Sequence, residues 1–156
     1  MSWGIPSCAL AAALVLLLLS AGIEDARRRE IANWKNAAIA LMAPAWWYLQ
    51  GYGWTDAGIQ LAIALGVFAL FVGAFHFGWM GGGDVKMIGA LALWLPGRAL
   101  LFMLMAMSVI GGVLTLIMML DHWRRKAPGA VETPYGVAIA MASMIALSEP
   151  IFNQFK

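Results

Sequence analysis

The sequence predicts an all-α integral membrane protein with six transmembrane helices, the fourth of them short. Three observations lead there. Of 156 residues, 63% are hydrophobic and only 12% charged, which leaves too little polar surface to cover a soluble core of this size. The apolar residues are gathered into long runs separated by short polar islands. The basic residues sort to one side of a membrane only if every run crosses it. A net charge of +2 is too small to argue for nucleic acid. The whole chain, 1–156, reads as one polytopic domain with no separate soluble part.

The first run, Trp3 to Ile23, holds 21 uncharged residues, enough to cross a hydrocarbon core of roughly 30 Å as a helix. Ser20-Ala21-Gly22 has the small residues of a signal-peptidase site, but no basic stretch precedes the run, so a retained first helix is expected. Cys8, the single cysteine, lies inside this run; it reads as a small packing residue, and neither a disulfide framework nor a cysteine zinc site is available.

Glu24 to Lys35 is a polar island carrying Glu24, Asp25, Arg27, Arg28, Arg29 and Glu30. The next apolar run, Asn36 to Leu49, is short for a span, so its helix is expected to begin near Ala32 or Asn33. It closes on Trp46-Trp47-Tyr48, aromatics suited to a headgroup boundary. Gln50 to Asp56 is a glycine-containing turn. Ala57 to Met80 is the third span; Gly66, Gly73 and Gly78 offer close helix contact. His76 near its end reads as a packed or wet interfacial histidine, since no further ligands are spaced around it for a metal.

Gly81-Gly82-Gly83-Asp84-Val85-Lys86 then opens the short fourth segment, whose apolar part is Val85 to Leu95, followed by the turn signal Pro96-Gly97. Ala99 to Leu120 is a full span, ending at the basic cluster Arg124-Arg125-Lys126. Thr133 to Phe152, opened by Pro134-Tyr135-Gly136, is the last. If all six runs cross, Arg27, Arg28, Arg29, Lys35, Lys86, Arg124, Arg125 and Lys126 fall on one side and only Arg98 and Lys156 on the other. That asymmetry marks the richer side as cytoplasmic and puts both termini outside.

This topology sets Asp25 at the cytoplasmic end of helix 1 and Asp84 at the cytoplasmic start of helix 4. A carboxylate beside hydrocarbon is costly unless it has a partner or faces a cavity, so each is a candidate functional residue. Two carboxylates at one depth suit aspartyl proteolysis. One deprotonates the water that attacks a peptide carbonyl, and the other, protonated because its neighbour is charged, donates to the carbonyl oxygen. Glycines before Asp84 let backbone approach closely, as an extended substrate strand would need. Other readings use the same residues: a solvated helix end with local ion pairs, a small proton-coupled transporter, or a non-enzymatic subunit of a pilus or secretion assembly.

Three motifs together resemble the type IV prepilin peptidases, the GxGD-type intramembrane aspartyl proteases, and among them the small TadV/CpaA-like branch that processes Flp-type pilins. Gly81 to Lys86 is similar to the family's GxGDxK pattern, with Gly81 and Gly83 as its glycines. Asp25, followed by Arg27 to Arg29 and Ile31-Ala32-Asn33, resembles the first aspartate with its basic stretch and Ile-Pro-Asn; Ala32 departs from the usual proline. Pro134-Tyr135-Gly136 resembles the opening of the last helix. The resemblance implies Asp25 and Asp84 as the catalytic pair, with Asn33 and Tyr135 as residues that support the site. It implies for Lys86 a contact to substrate, headgroups or a neighbouring loop, beside the plainer reading of an interfacial lysine. It implies a bacterial inner-membrane enzyme without cofactor or metal. Its substrate would be a prepilin with a short basic cytoplasmic leader, a glycine before the scissile bond and an apolar helix after it. Larger relatives carry a cysteine-paired zinc domain and methylate the product; the short, cysteine-free first island implies a peptidase only.

Overall fold

The computed structural model describes residues 4–126 and 133–148. Trp3, the end of the last apolar run to Phe152, Lys156 and the two termini lie outside them. The described residues form six helices: α1 Ile5–Arg28, α2 Asn33–Leu49, α3 Trp54–His76, α4 Gly82–Ala92, α5 Gly97–Arg125 and α6 Tyr135–Ser148. α1, α3 and α5 are long and apolar enough to cross a membrane.

The helix boundaries have local causes. Pro6 opens α1, where its missing N–H is not needed. α1 runs through half of the polar island before Arg29 adopts a left-handed conformation (φ 58°) and donates its N–H to Asp25 O, so Asp25 is helical. α2 begins at Asn33, as its short apolar run requires. The Asp56 carboxylate accepts the Gly53 N–H at 3.1 Å and closes the start of α3, the half of a capping box that a glycine N-cap can make. α4 starts three residues before its apolar part, which places Asp84 in its first turn. The single cysteine is exposed on α1 rather than packed.

α4 is the centre of the bundle. Eight of its eleven residues are buried, and it packs against α2, α3 and α6, while α6 also lies along α1 and α5. Its apolar face, Met87, Ile88 and Leu91, meets Leu18 of α1, Ile39 of α2 and Ile139 of α6 in a continuous core. By contrast, α3 and α5 expose large apolar side chains such as Leu65, Leu70, Leu101 and Val109, the surface expected of helices bathed in lipid.

Eleven residues make about 16 Å of helix, half of a hydrocarbon core. A helix that ends among buried residues leaves carbonyls with no water to bind. Here the amides of residues 93–95 bind Ala90 O and Leu91 O, and side chains bind the carbonyls that follow. Gln60 of α3 donates through Nε2 to Ala92 O at 2.6 Å and Leu95 O at 2.7 Å, and Trp47 Nε1 of α2 donates to Leu93 O at 2.7 Å. Trp94 in turn donates Nε1 to Ile39 O at 2.8 Å and packs on Trp46 with ring centres 5.4 Å apart. The short helix is thus locked to both neighbours at its C-terminal end.

Candidate active site

Asp25 lies one turn from the end of α1, and Asp84 sits in the first turn of α4. Both are almost fully buried, 5% and 9% exposed. They line one cavity of about 300 Å³ together with Arg29, Glu30, Ile31, Asn33 and the three glycines Gly81, Gly82 and Gly83. Residues 59 positions apart in the chain meet because the α1–α2 and α3–α4 connections lie at the same end of the bundle.

Each wall of the cavity is built by close contact. A methyl group added at Gly81 would stand 3.1 Å from Asp84 Oδ2, one at Gly82 3.3 Å from the Phe75 ring of α3, and one at Gly83 3.3 Å from Ile31 Cβ. The glycines therefore admit a carboxylate, an aromatic ring and a neighbouring turn. Ile31 is the wedge of that turn. It touches Gly83 on one side and Gly136 of α6 on the other, where an added Cβ would lie 2.8 Å from Ile31 Cδ1 and 2.9 Å from Asp25 Cβ. The backbone of α6 thus presses directly on Asp25, and the Val137 N–H donates to Asp25 Oδ2 at 3.3 Å. Free amides at a helix N-terminus favour such a carboxylate.

The turn of residues 29–32 is held from below by an ion pair. Lys35, buried between α1 and α2, places Nζ 2.7 Å from Glu24 Oε2 and donates to Ser20 O at 3.1 Å. Glu24 Oε2 also accepts the Ala32 N–H at 3.2 Å. At Ala32 the backbone angles, φ −60° and ψ 129°, would suit proline. Alanine supplies the N–H that proline lacks, and this chain uses it to tie the turn to α1.

Asn33, the first residue of α2, lines the cavity and accepts a hydrogen bond from Lys86 Nζ at 2.8 Å. Lys86 therefore contacts the start of a neighbouring helix. Tyr135 is placed differently: its ring lies over Gly111 of α5, where an added Cβ would be 2.9 Å from a ring carbon, and it is not part of the cavity lining. Its neighbours Gly136 and Val137 make the α6 contacts to Asp25. Sequence reasoning passed over Asn36, which is buried and donates Nδ2 to Gly83 O at 3.1 Å. Asparagine inside an apolar run is the signal that would have found it.

The arrangement gathers two buried carboxylates, a backbone donor to one of them and room for a small polar group between the glycine-rich start of α4 and the turn of residues 29–33. Chemically it suits proton transfer to and from a water and a carbonyl. The model of the type IV leader peptidase family matches residues 12–116, a span that contains Asp25, Asp84 and the whole cavity lining. The curated proteins and the solved structures yielded no match.

Proposed function

The chain belongs to the type IV leader peptidase family, and from that premise we propose that it removes the basic leader of a Flp-type or similar prepilin by a two-aspartate mechanism at the cytoplasmic face of the bacterial inner membrane. The observation that carries the reading is the shared cavity: Asp25 and Asp84, from distant parts of the chain, line one pocket at one end of an apolar bundle. The whole chain acts as a single peptidase domain. The α1–α2 connection spans only residues 29–32, which supports a peptidase without an inserted zinc domain and so the small branch of the family.

The substrate's glycine before the scissile bond lets its backbone lie between the carboxylates. One aspartate takes a proton from a water as that water's oxygen bonds to the scissile carbonyl carbon, and the other gives its proton to the carbonyl oxygen. When the tetrahedral carbon collapses, the C–N bond breaks, its electron pair goes to the amide nitrogen, and the first aspartate's proton follows it. The second aspartate recovers its proton from the carbonyl oxygen. Asn33 and Lys86 join α2 to α4 beside this site, and the Val137 amide holds one oxygen of Asp25.

Separate Asp25→Asn and Asp84→Asn variants, expressed with a pilin precursor, test this by the mass of the pilin recovered. Each variant is expected to remain in the membrane and leave most of the leader attached, a loss of roughly a hundredfold to ten-thousandfold in rate for removing a proton-transfer group. Normal processing by either one would overturn the reading.

A further inference from the structure

The cavity explains where a peptide bond is cut and leaves open how an apolar helix reaches it. Directly beneath the aspartates the bundle is solid: Leu18, Ile39, Met87 and Ile88 are fully buried there, so no helix can descend through it. A second recess opens to the side. It is a groove of about 430 Å³ with α4 as its floor at Gly89 and Ala90, and α2 and α3 as its walls at Ala37, Ala40, Leu61 and Leu65. The Phe68 ring already covers Gly89, 2.7 Å from where an added Cβ would stand, but the small residues Ala37, Ala40 and Ala90 allow another helix to approach closely beside it.

The groove is polar only at one end. Asn33, Asn36 and Lys86 stand there, and Asn33 also lines the aspartate cavity. Cavity and groove therefore adjoin at one residue, with the Lys86–Asn33 hydrogen bond standing between them. Beyond it the lining is apolar down to Leu93. From Lys86 to Leu93 the floor runs about 10 Å, or two turns of helix.

Building on the leader-peptidase reading, we propose that this α2–α3–α4 groove seats the first two turns of the apolar helix that follows the scissile bond. A chain whose backbone is extended between the aspartates then passes over Asn33 and enters lipid along α4. The groove thereby selects substrates by the size of the side chains in those two turns, separately from the cut itself. A lipid tail is the competing occupant.

A synthetic precursor with a basic leader, a glycine and a twenty-residue apolar helix, reconstituted with the full protein in phosphatidylethanolamine and phosphatidylglycerol vesicles, tests the assignment. Wild-type cleavage of this precursor establishes the underlying reading on its own, whatever the groove does. A photo-reactive benzoylphenylalanine at position 61 or 65 is then expected to crosslink the first two turns of the precursor helix. The same probe at Val109, exposed on α5, is expected to capture lipid alone. Ala37→Phe, at an exposed groove wall, is expected to raise KM roughly tenfold with kcat within about twofold, a tenfold change in binding being 1.4 kcal/mol. Cleavage by the wild type combined with lipid-only crosslinks at 61 and 65, or with an unchanged KM in Ala37→Phe, would overturn the groove while leaving the peptidase reading intact.

Discussion

Gly136 is the residue on which two helices and a carboxylate converge. A Cβ built there would sit 2.9 Å from both Cβ and Cγ of Asp25 and 2.8 Å from Ile31 Cδ1. The isoleucine end can swing away, but Asp25 Cβ is anchored to α1, so any larger residue must push α6 and α1 apart. Gly136→Val is therefore expected to lower leader cleavage by at least about tenfold while the protein stays in the membrane, because a displacement of about 1 Å at a reacting group costs that much or more. Gly112→Val, whose added atoms meet nothing within 4 Å of Cβ, is the control and is expected to cleave normally. At this scale the sequence is informative where chemistry is out of place. Asp25 and Asp84 stand out because carboxylates are rare beside apolar runs. Glu24 and Lys35 did not, since in an island rich in both signs they read as solvated charge. Their pairing depends on Arg29 turning left-handed, and nothing about an arginine foretells that. The placement of Tyr135 over Gly111 was equally hidden, because it depends on which face of α6 meets α5.

Among the elements, α4 shows how a helix shorter than the membrane is made tolerable. The carbonyls of Ala92, Leu93 and Leu95 at its end and in the turn beyond are bound by Gln60 and Trp47, residues of different helices, so its end also sets the spacing between α2 and α3. Leaving one buried carbonyl without a donor costs about 1–3 kcal/mol. Gln60→Leu removes the donor to two of them and is expected to lower the thermal unfolding temperature of the detergent-solubilised protein by several degrees. Ser108→Ala, which removes only an exposed bond to the carbonyl four residues back, is expected to leave it in place; equal temperatures for Gln60→Leu and wild type would show that the end of α4 is satisfied by other means. The shortness of α4 was legible, since Pro96-Gly97 follows so soon after Gly81 to Gly83. How its end is satisfied was not. Gln60 lies in a run read only for its length and glycines, and its partners are thirty-odd residues away.

For the molecule as a whole, six helices and a shared cavity at one end fix which connections are neighbours but not which side of a membrane they face. The contacts of Ile31 with Gly83 and Gly136 bring the α1–α2 connection, the start of α4 and the start of α6 to one end. We propose the orientation of that end from its basic residues: eight of the ten, Arg27 to Arg29 and Arg124 to Lys126 among them, belong to it in a six-crossing chain, and such an excess is characteristic of the cytoplasmic side. The arrangement hinges on α4, whose 16 Å or so must, with the turn at residues 93–96, carry the chain far enough for α5 to return. A reporter fused after Lys126 is therefore expected to read as cytoplasmic, and one after Tyr52 as extracytoplasmic. If α4 merely dips into the membrane and comes back, the reporter after Lys126 lands on the same side as the one after Tyr52. The leader of a cytoplasmic precursor would still meet Asp25 and Asp84, but α6 would then have to reach Asp25 from the wrong side. The Val137–Asp25 hydrogen bond excludes that geometry, so opposite readings from the two fusions are the outcome the packing of α6 demands.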